Sequence, residues 1–329
     1  MRWVTRGAGE LAEGGAATLC VFRMTAQETT LDRRSVFAGL AALACQSHAA
    51  PPTAAAPSAT SAPAYNEQLA KLERETHGRF GVAAWDLATD RRVNYREHER
   101  FLFCSTFKFP LAGAVLQRVD AGKEQLDRRI TYDASVLMEN SKITTEHVAE
   151  GGMTVAALCE ATVTVSDNAA GNLLLDSIGG PAALTAFFRS LGDKVSRLDR
   201  NEPELNVYAA GDERDTTTPS AMLHLAHELL ISERALSAAS RQQLGEWLSR
   251  ASTGLKRLRS AFPPTLRAGD KTGTGTDGIT NDVAIAWRAS RKPVLVAAYS
   301  LGLPGNLDER AEIIGRVGRI VVDALGVQA

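Results

Sequence analysis

Apolar residues fall at helical spacing over residues 66–77, where Leu69 and Leu72 stand among charges. Two strand-like runs follow, 80–87 (FGVAAWDL) and 92–96, around the turn Ala88-Thr89-Asp90-Arg91. From there to about residue 250 the period is helical, strongest in 107–119, 154–161, 168–177, 181–191, 219–231 and 240–249. Strand character returns at 265–272, 279–288 and 294–301, and 307–325 reads as a closing amphipathic helix. Strands at both ends around a helical middle predict α/β plus all-α architecture. An antiparallel sheet would be built from both chain ends and flanked by helices, with an all-helical domain inserted. The expected divisions are 66–97 with 250–329 for the α/β domain and 98–249 for the helical one, with an active site at their interface.

The pattern before residue 66 is of another kind. Arg33-Arg34 directly precede the short apolar run SVFAGLAALAC, which has the polarity of an export signal but not the roughly 20 apolar residues of a membrane span. Paired arginines before Ser35-Val36-Phe37 read as a twin-arginine signal, with an ordinary secretory signal as the alternative. Residues 1–48 form the signal region. A start at Met24 would give a leader of ordinary length, leaving 1–23 as an overlong N-terminus. Cleavage fits near Ser47-His48-Ala49; lipid attachment at Cys45 fits less well, because Ala42 stands where a larger aliphatic residue is usual. Residues 49–65 are an Ala/Pro/Ser-rich linker. The mature protein is expected in the periplasm or outside the cell, without stable membrane insertion.

Composition narrows the function classes. At 44% hydrophobic residues over 329, the chain can bury a large core. Thirty-seven Lys+Arg against 38 Asp+Glu leave a net charge of −1, so no global field draws it to nucleic acid or an anionic membrane. Four cysteines, Cys20, Cys45, Cys104 and Cys159, are too few and too irregular for a disulfide scaffold or a zinc site.

Three short motifs carry candidate chemistry. Ser105-Thr106-Phe107-Lys108 opens an apolar helix, and residues three apart share a helix face, so the Lys108 amine can reach the Ser105 hydroxyl. Helix-start N–H groups favour negative charge developing beside it; the plainer alternative is that Ser105 only caps the helix. Ser166-Asp167-Asn168 precedes the helical run AAGNLLLDSI and could likewise be an N-cap with polar neighbours. Lys271-Thr272-Gly273 ends a strand-like segment, where glycine lets a ligand approach the backbone and a lysine is otherwise a solvated edge residue.

In this order the set Ser-x-x-Lys, Ser-Asp-Asn, Lys-Thr-Gly resembles the penicillin-recognising serine enzymes. Between the second and third motifs, Glu202-Pro203-Glu204-Leu205-Asn206 is similar to the Glu-x-x-Leu-Asn of class A β-lactamases, and the resemblance spans about residues 66–325. It implies a covalent acyl-serine hydrolysis of the β-lactam amide of penicillins and cephalosporins, conferring antibiotic resistance. Ser105 would be the nucleophile, with the backbone N–H groups of Ser105 and Thr274 as oxyanion hole. Glu202 would activate the water that breaks the ester, held by Asn206 and Asn172, and Lys108 or Glu202 would be the acylation base. Ser166 would protonate the leaving nitrogen. Asn168 would bind the substrate's side-chain amide, Lys271 and Thr272 its carboxylate, with Gly273 giving access. Arg200 and Asp215 would close the loop carrying Glu202. The implied partner is a small-molecule β-lactam bound by a monomer, with no cofactor and no metal.

Departures from the family pattern sharpen the expectations. Thr280 stands where a carboxylate-binding arginine is frequent; Arg257 matches the alternative source of that guanidinium, or is an ordinary surface arginine. Asn140 replaces an aromatic residue at the cleft mouth. Ala112 stands opposite Cys159, and Gly275 opposite Cys104, so no disulfide is expected, which suits export of a chain already folded in the cytoplasm.

Several other patterns are better read without chemistry. Gly273-x-Gly275-x-x-Gly278 precedes strand residues, where a dinucleotide site needs a helix, and reads as a hairpin turn. His224 and His227 are spaced for a metal but lack a third ligand, and read as packing or surface. Cys104 adjoins Ser105, but no His and Asn arrangement supports a thiol enzyme. A D,D-peptidase would share the first three motifs, and a penicillin-sensing domain would acylate without turnover. Glu202 argues against both, and each would need a membrane tether.

Overall fold

The computed structural model describes residues 63–327; the signal, the two candidate starts, Cys20, Cys45 and most of the linker lie outside the described residues. The chain opens with α1 (Ala64–Thr76), which stops where His77 turns left-handed at φ 53°. β1 (Arg79–Asp86) and β2 (Arg91–Tyr95) form the first hairpin, with Asp86 opposite Arg91. β3 (Phe101–Leu102) leads through a 3-10 turn, Cys104–Phe107, into α2 (Lys108–Asp120). Then come β4 (Arg129–Thr131), α3 (Lys142–Glu146), β5 (Gly152–Thr154), α4 (Val155–Thr164), α5 (Asn168–Ile178) and α6 (Pro181–Ser190). A long loop reaches β6 (Thr216–Thr217), followed by α7 (Pro219–Leu230) and α8 (Ala238–Ser249). β7 (Arg267–Thr274), β8 (Thr280–Trp287), β9 (Val294–Leu301) and α9 (Leu307–Leu325) complete the chain.

The main sheet has the order β2-β1-β9-β8-β7, and every neighbouring pair is antiparallel. The first strand therefore lies beside the last, with Arg79 opposite Leu301 and Asp86 opposite Val294. Successive side chains in a strand point to opposite faces. Accordingly Val283 and Ile285 enter the core shared with the helical part, while Ala284 and Ala286 enter the core under α1 and α9. Covered on both faces, the strands read as apolar runs rather than as alternations. Every residue of α2 from Lys108 to Leu116 is buried, so this helix is the axis on which the others pack.

Two short ribbons, β3 with β6 and β4 with β5, lie inside the 98–249 stretch that reads as all-helical. Strands of two or three residues are too short to set an alternation, which is why periodicity misses them.

Candidate active site

Ser105 is positioned by the turn before α2 rather than by the helix itself. Cys104 takes φ 44°, Thr106 bonds back to the Phe103 carbonyl through its N–H (3.3 Å) and its hydroxyl (2.7 Å), and the α-helix begins only at Lys108. No side-chain cap bond is made by Ser105. Its Oγ instead donates to Glu202 Oε1 at 3.0 Å and accepts from Lys108 Nζ at 3.1 Å.

Lys108 is fully buried, and its ammonium is surrounded by oxygens. It donates to Asn168 Oδ1 (2.5 Å) and the Ser166 carbonyl (2.9 Å), lies 3.4 Å from Ser166 Oγ, and pairs with Glu202 Oε1 at 3.0 Å. Burial pulls its pKa below the usual lysine value, and the adjacent Glu202 carboxylate opposes that pull.

The Ser166-Asp167-Asn168 segment divides its work. Asp167 is the N-cap of α5, accepting from Ala170 N at 2.9 Å, and also takes Thr144 N and its hydroxyl from α3. Ser166, at φ 63°, is thereby turned into the cleft, where its Oγ receives Lys271 Nζ at 3.0 Å. Asn168 Nδ2 donates to the Glu139 carbonyl at 3.0 Å, and the Asn140 carbonyl takes the Asn168 N–H at 2.9 Å. The exposed Asn140 thus contributes backbone rather than a side chain to the wall.

Glu202 has its side chain fully buried and is held at three points. Asn206 Nδ2 donates to Oε2, while Asn172 takes the Glu202 N–H on Oδ1 (3.0 Å) and donates Nδ2 to its carbonyl (2.9 Å). Asn172 therefore fixes the main chain of Glu202, and Asn206 its carboxylate. Further along the loop, Arg200 Nε meets Asp215 Oδ2 at 2.5 Å, and Asp215 Oδ1 takes the N–H groups of Asp199 and Arg200.

Opposite stands β7. Lys271 is fully buried, donating to Ser166 Oγ and to the Thr272 carbonyl (2.9 Å); burial, with Lys108 nearby, lowers its pKa to about 7. Thr272 Oγ1 meets Thr253 Oγ1 at 2.7 Å. Gly273 has no room for a side chain: a Cβ would come within 2.8 Å of the Phe103 carbonyl. Arg257 is only 3% exposed, so it is no surface arginine; it donates to the carbonyls of Gly273 (2.9 Å) and Asn281 (2.6 Å) and to Thr274 Oγ1 (2.9 Å).

The remaining candidates resolve by their surroundings. Cys104 and Cys159 are buried free thiols, and burial raises both pKa values far from nucleophilic range. Cys104 does face Gly275, whose added Cβ would stand 2.8 Å from its Sγ. His224 bonds the Leu191 carbonyl, and His227 stacks on Trp85 at 5.0 Å. Among the described residues no cluster of His, Cys, Asp and Glu could hold a metal. The Gly273–Gly278 segment is a hairpin turn closed by Gly275 N and the Ile279 carbonyl at 3.2 Å.

Residues that pattern reading passed over also shape the site. Asn281 on β8 donates to the carbonyls of Leu102 and Phe103, tying the sheet to the turn that carries Ser105. Thr276 links the β7–β8 turn to the Glu202 loop through Asn206 O (3.1 Å) and Tyr208 N (3.0 Å). Asp270 and Asp282 are buried behind β7. Charged residues inside apolar strand runs were the available signal for these last two.

A fold with its sheet built from both termini and a buried Ser–Lys–Glu centre defines a class of protein, and comparison with known proteins agrees. The sequence profile of the β-lactamase enzyme family matches residues 64–325. Beta-lactamase L2 of Stenotrophomonas maltophilia is 42% identical over 286 residues, covering 87% of this chain and 94% of that protein. Among solved structures, the class A β-lactamase of the last common ancestor of Gram-negative bacteria is 57% identical with TM-score 0.78, covering 80% of this chain and 100% of the other. A second ancestral class A β-lactamase structure is also 57% identical, TM-score 0.76, over 79% of this chain and 99% of that one. The chain belongs to the β-lactamase enzyme family, as a class A serine hydrolase of β-lactam antibiotics that confers resistance. The peptidase and sensor readings give way to it.

Proposed function

We propose that Ser105 is the nucleophile of a two-stage hydrolysis in which Glu202 serves the second stage. The observation carrying this reading is that Ser105 Oγ has both Lys108 Nζ and Glu202 Oε1 within 3.1 Å, in a pocket where both partners are buried. Ser105 attacks the lactam carbonyl, its proton passing to Glu202, which already accepts it at rest, or to Lys108 when that amine is neutral. The backbone N–H groups of Ser105 and Thr274 stabilise the oxyanion. Ser166 Oγ faces two lysine donors, so its own proton is free to reach the departing nitrogen. The proton taken from Ser105 passes by way of Lys108, which lies between Glu202 and Ser166, to replace the one Ser166 gave up. Glu202, a free carboxylate again, then deprotonates water against the acyl ester, a general-base contribution of about 10²–10⁴.

The binding residues follow from their free valences. Asn168 Nδ2 has a second N–H beyond the one used on Glu139, which suits the carbonyl of a substrate side-chain amide. Lys271, Thr272, Thr274 and Arg257 carry donors suited to the substrate's carboxylate, and Gly273 keeps the strand backbone accessible. Arg200 with Asp215, and Asn172 with Asn206, are structural supports of Glu202. The enzyme acts as a monomer exported through the twin-arginine signal, with its cleft between 66–97 plus 250–329 and 98–249. Within the described residues no helix is long and apolar enough to cross a membrane.

Arg257→Ala tests the carboxylate assignment: KM for a penicillin rises with kcat nearly unchanged, because that grip is largely uniform binding. Unchanged steady-state constants would assign the role elsewhere.

A further inference from the structure

Behind β7, on the face turned away from Lys271, two aspartates lie in one buried layer. Thr272 is opposite Asp282 and Asp270 opposite Ala284, so the two acids are diagonal neighbours on one sheet face, and both are fully buried. Asp270 has a cation, Arg259 Nη1 at 3.2 Å. Asp282 has none: among the described residues it joins no ion pair, its Oδ2 accepts the Leu258 N–H at 3.0 Å, and its Oδ1 is buried without a partner. The charged groups acting on it are Asp270 and Lys271 from β7 and Arg257 from the loop before β7; Arg310 of α9 acts in turn on Arg257. A buried carboxylate with a single N–H partner and a like charge beside it is strongly disfavoured against its neutral acid.

Arg257 shows the complementary oddity. All three of its contacts are to neutral oxygens, and its Nε is buried without a partner, so no acid touches the guanidinium; Asp282 and Asp270 act on it only from a distance. We propose that Asp282 is a positioning residue that remains a neutral acid: it anchors the Arg257 loop through Leu258 while withholding the countercharge that would compete with the substrate's carboxylate. The adjacent Asp270, its pKa raised by burial to about 6, carries the negative charge of the pair at neutral pH and spends it on Arg259. The neutral oxygen acceptor, not a charge, is then what the site needs at position 282. The inference rests on the assignment of Arg257 to the substrate carboxylate.

Two readouts test it on the intact enzyme. Infrared spectroscopy at pH 8 should show a protonated-carboxyl C=O band that is lost in Asp282→Asn. In steady-state kinetics with a penicillin, Asp282→Ala should raise KM roughly tenfold through loss of the Leu258 anchor, with kcat within about twofold. Asp282→Asn, which keeps the acceptor and adds no charge, should restore KM. Absence of the band, or Asp282→Asn impaired as much as Asp282→Ala, overturns the proposal; should Asp282→Ala not fold, Asp282→Asn and the band still decide. Arg257→Ala separates the two levels. If it leaves KM unchanged, the carboxylate assignment itself fails; if it raises KM while the band is absent, only the neutral-acid inference fails.

Discussion

With Glu202 as the proposed base of the second stage, removing its carboxylate should separate the two half-reactions. Glu202→Ala should acylate and then stall, so intact-mass measurement after mixing with a penicillin should show an adduct equal to the whole drug. Deacylation should fall by about 10²–10⁴. Lys271 gives the pH dependence at the same scale. With its pKa lowered to about 7, the amine is charged below that pH and neutral above it, so the pull on a substrate carboxylate proposed for it should be lost as pH rises. The expected result is that kcat/KM declines through about pH 7, chiefly through KM, since a bound carboxylate holds the lysine proton on; a flat profile from pH 6 to 8 contradicts it. At this scale the sequence is most readable where chemistry needs a rare order of residues. Ser105, Lys108, Ser166 and Lys271 stand out by motif order, whereas Asp282 is one acid in an apolar run and shows its situation only when its partners are known.

In the proposed reading, the loop from Asp199 to Asp215 is what keeps Glu202 in place. Asp215 is fully buried and takes two backbone N–H groups as well as Arg200, so it anchors both ends of the loop. Asp215→Asn leaves Arg200 without its charge and should destabilise by about 3 kcal/mol. Thermal unfolding should then shift down by several degrees, and deacylation should suffer more than acylation; an unchanged midpoint and intact turnover would remove the loop from this role. Helix bounds were legible because caps and apolar period agree. Asp167 caps α5 and Asn306 caps α9, where Glu309 completes the capping box. The turn at Cys104–Phe107 was not, because its left-handed Cys104 depends on contacts with β7 and Asn281 that lie far off in sequence.

Over the whole molecule the sheet closes only when the two ends of the chain meet, β1 against β9, with α1 and α9 packed over one face. Helix α9 buries Ile314, Val317, Val321 and Leu325 there, each contributing about 1.5–3 kcal/mol of burial. A chain ending before residue 307 should therefore fail to yield folded enzyme, as circular dichroism and protease resistance would show; a folded, active truncation would contradict this architecture. That both termini build one sheet was readable from strand runs flanking a helical middle. The strand order was not, since buried strands lose the alternation that would set their register. The central claim is that a buried glutamate turns acylation into turnover, and its most direct measurement is a chromogenic cephalosporin mixed with wild type and with Glu202→Ala in parallel. The account predicts sustained turnover by the first and a single stoichiometric burst with a stable adduct by the second; equal sustained turnover by both would contradict it.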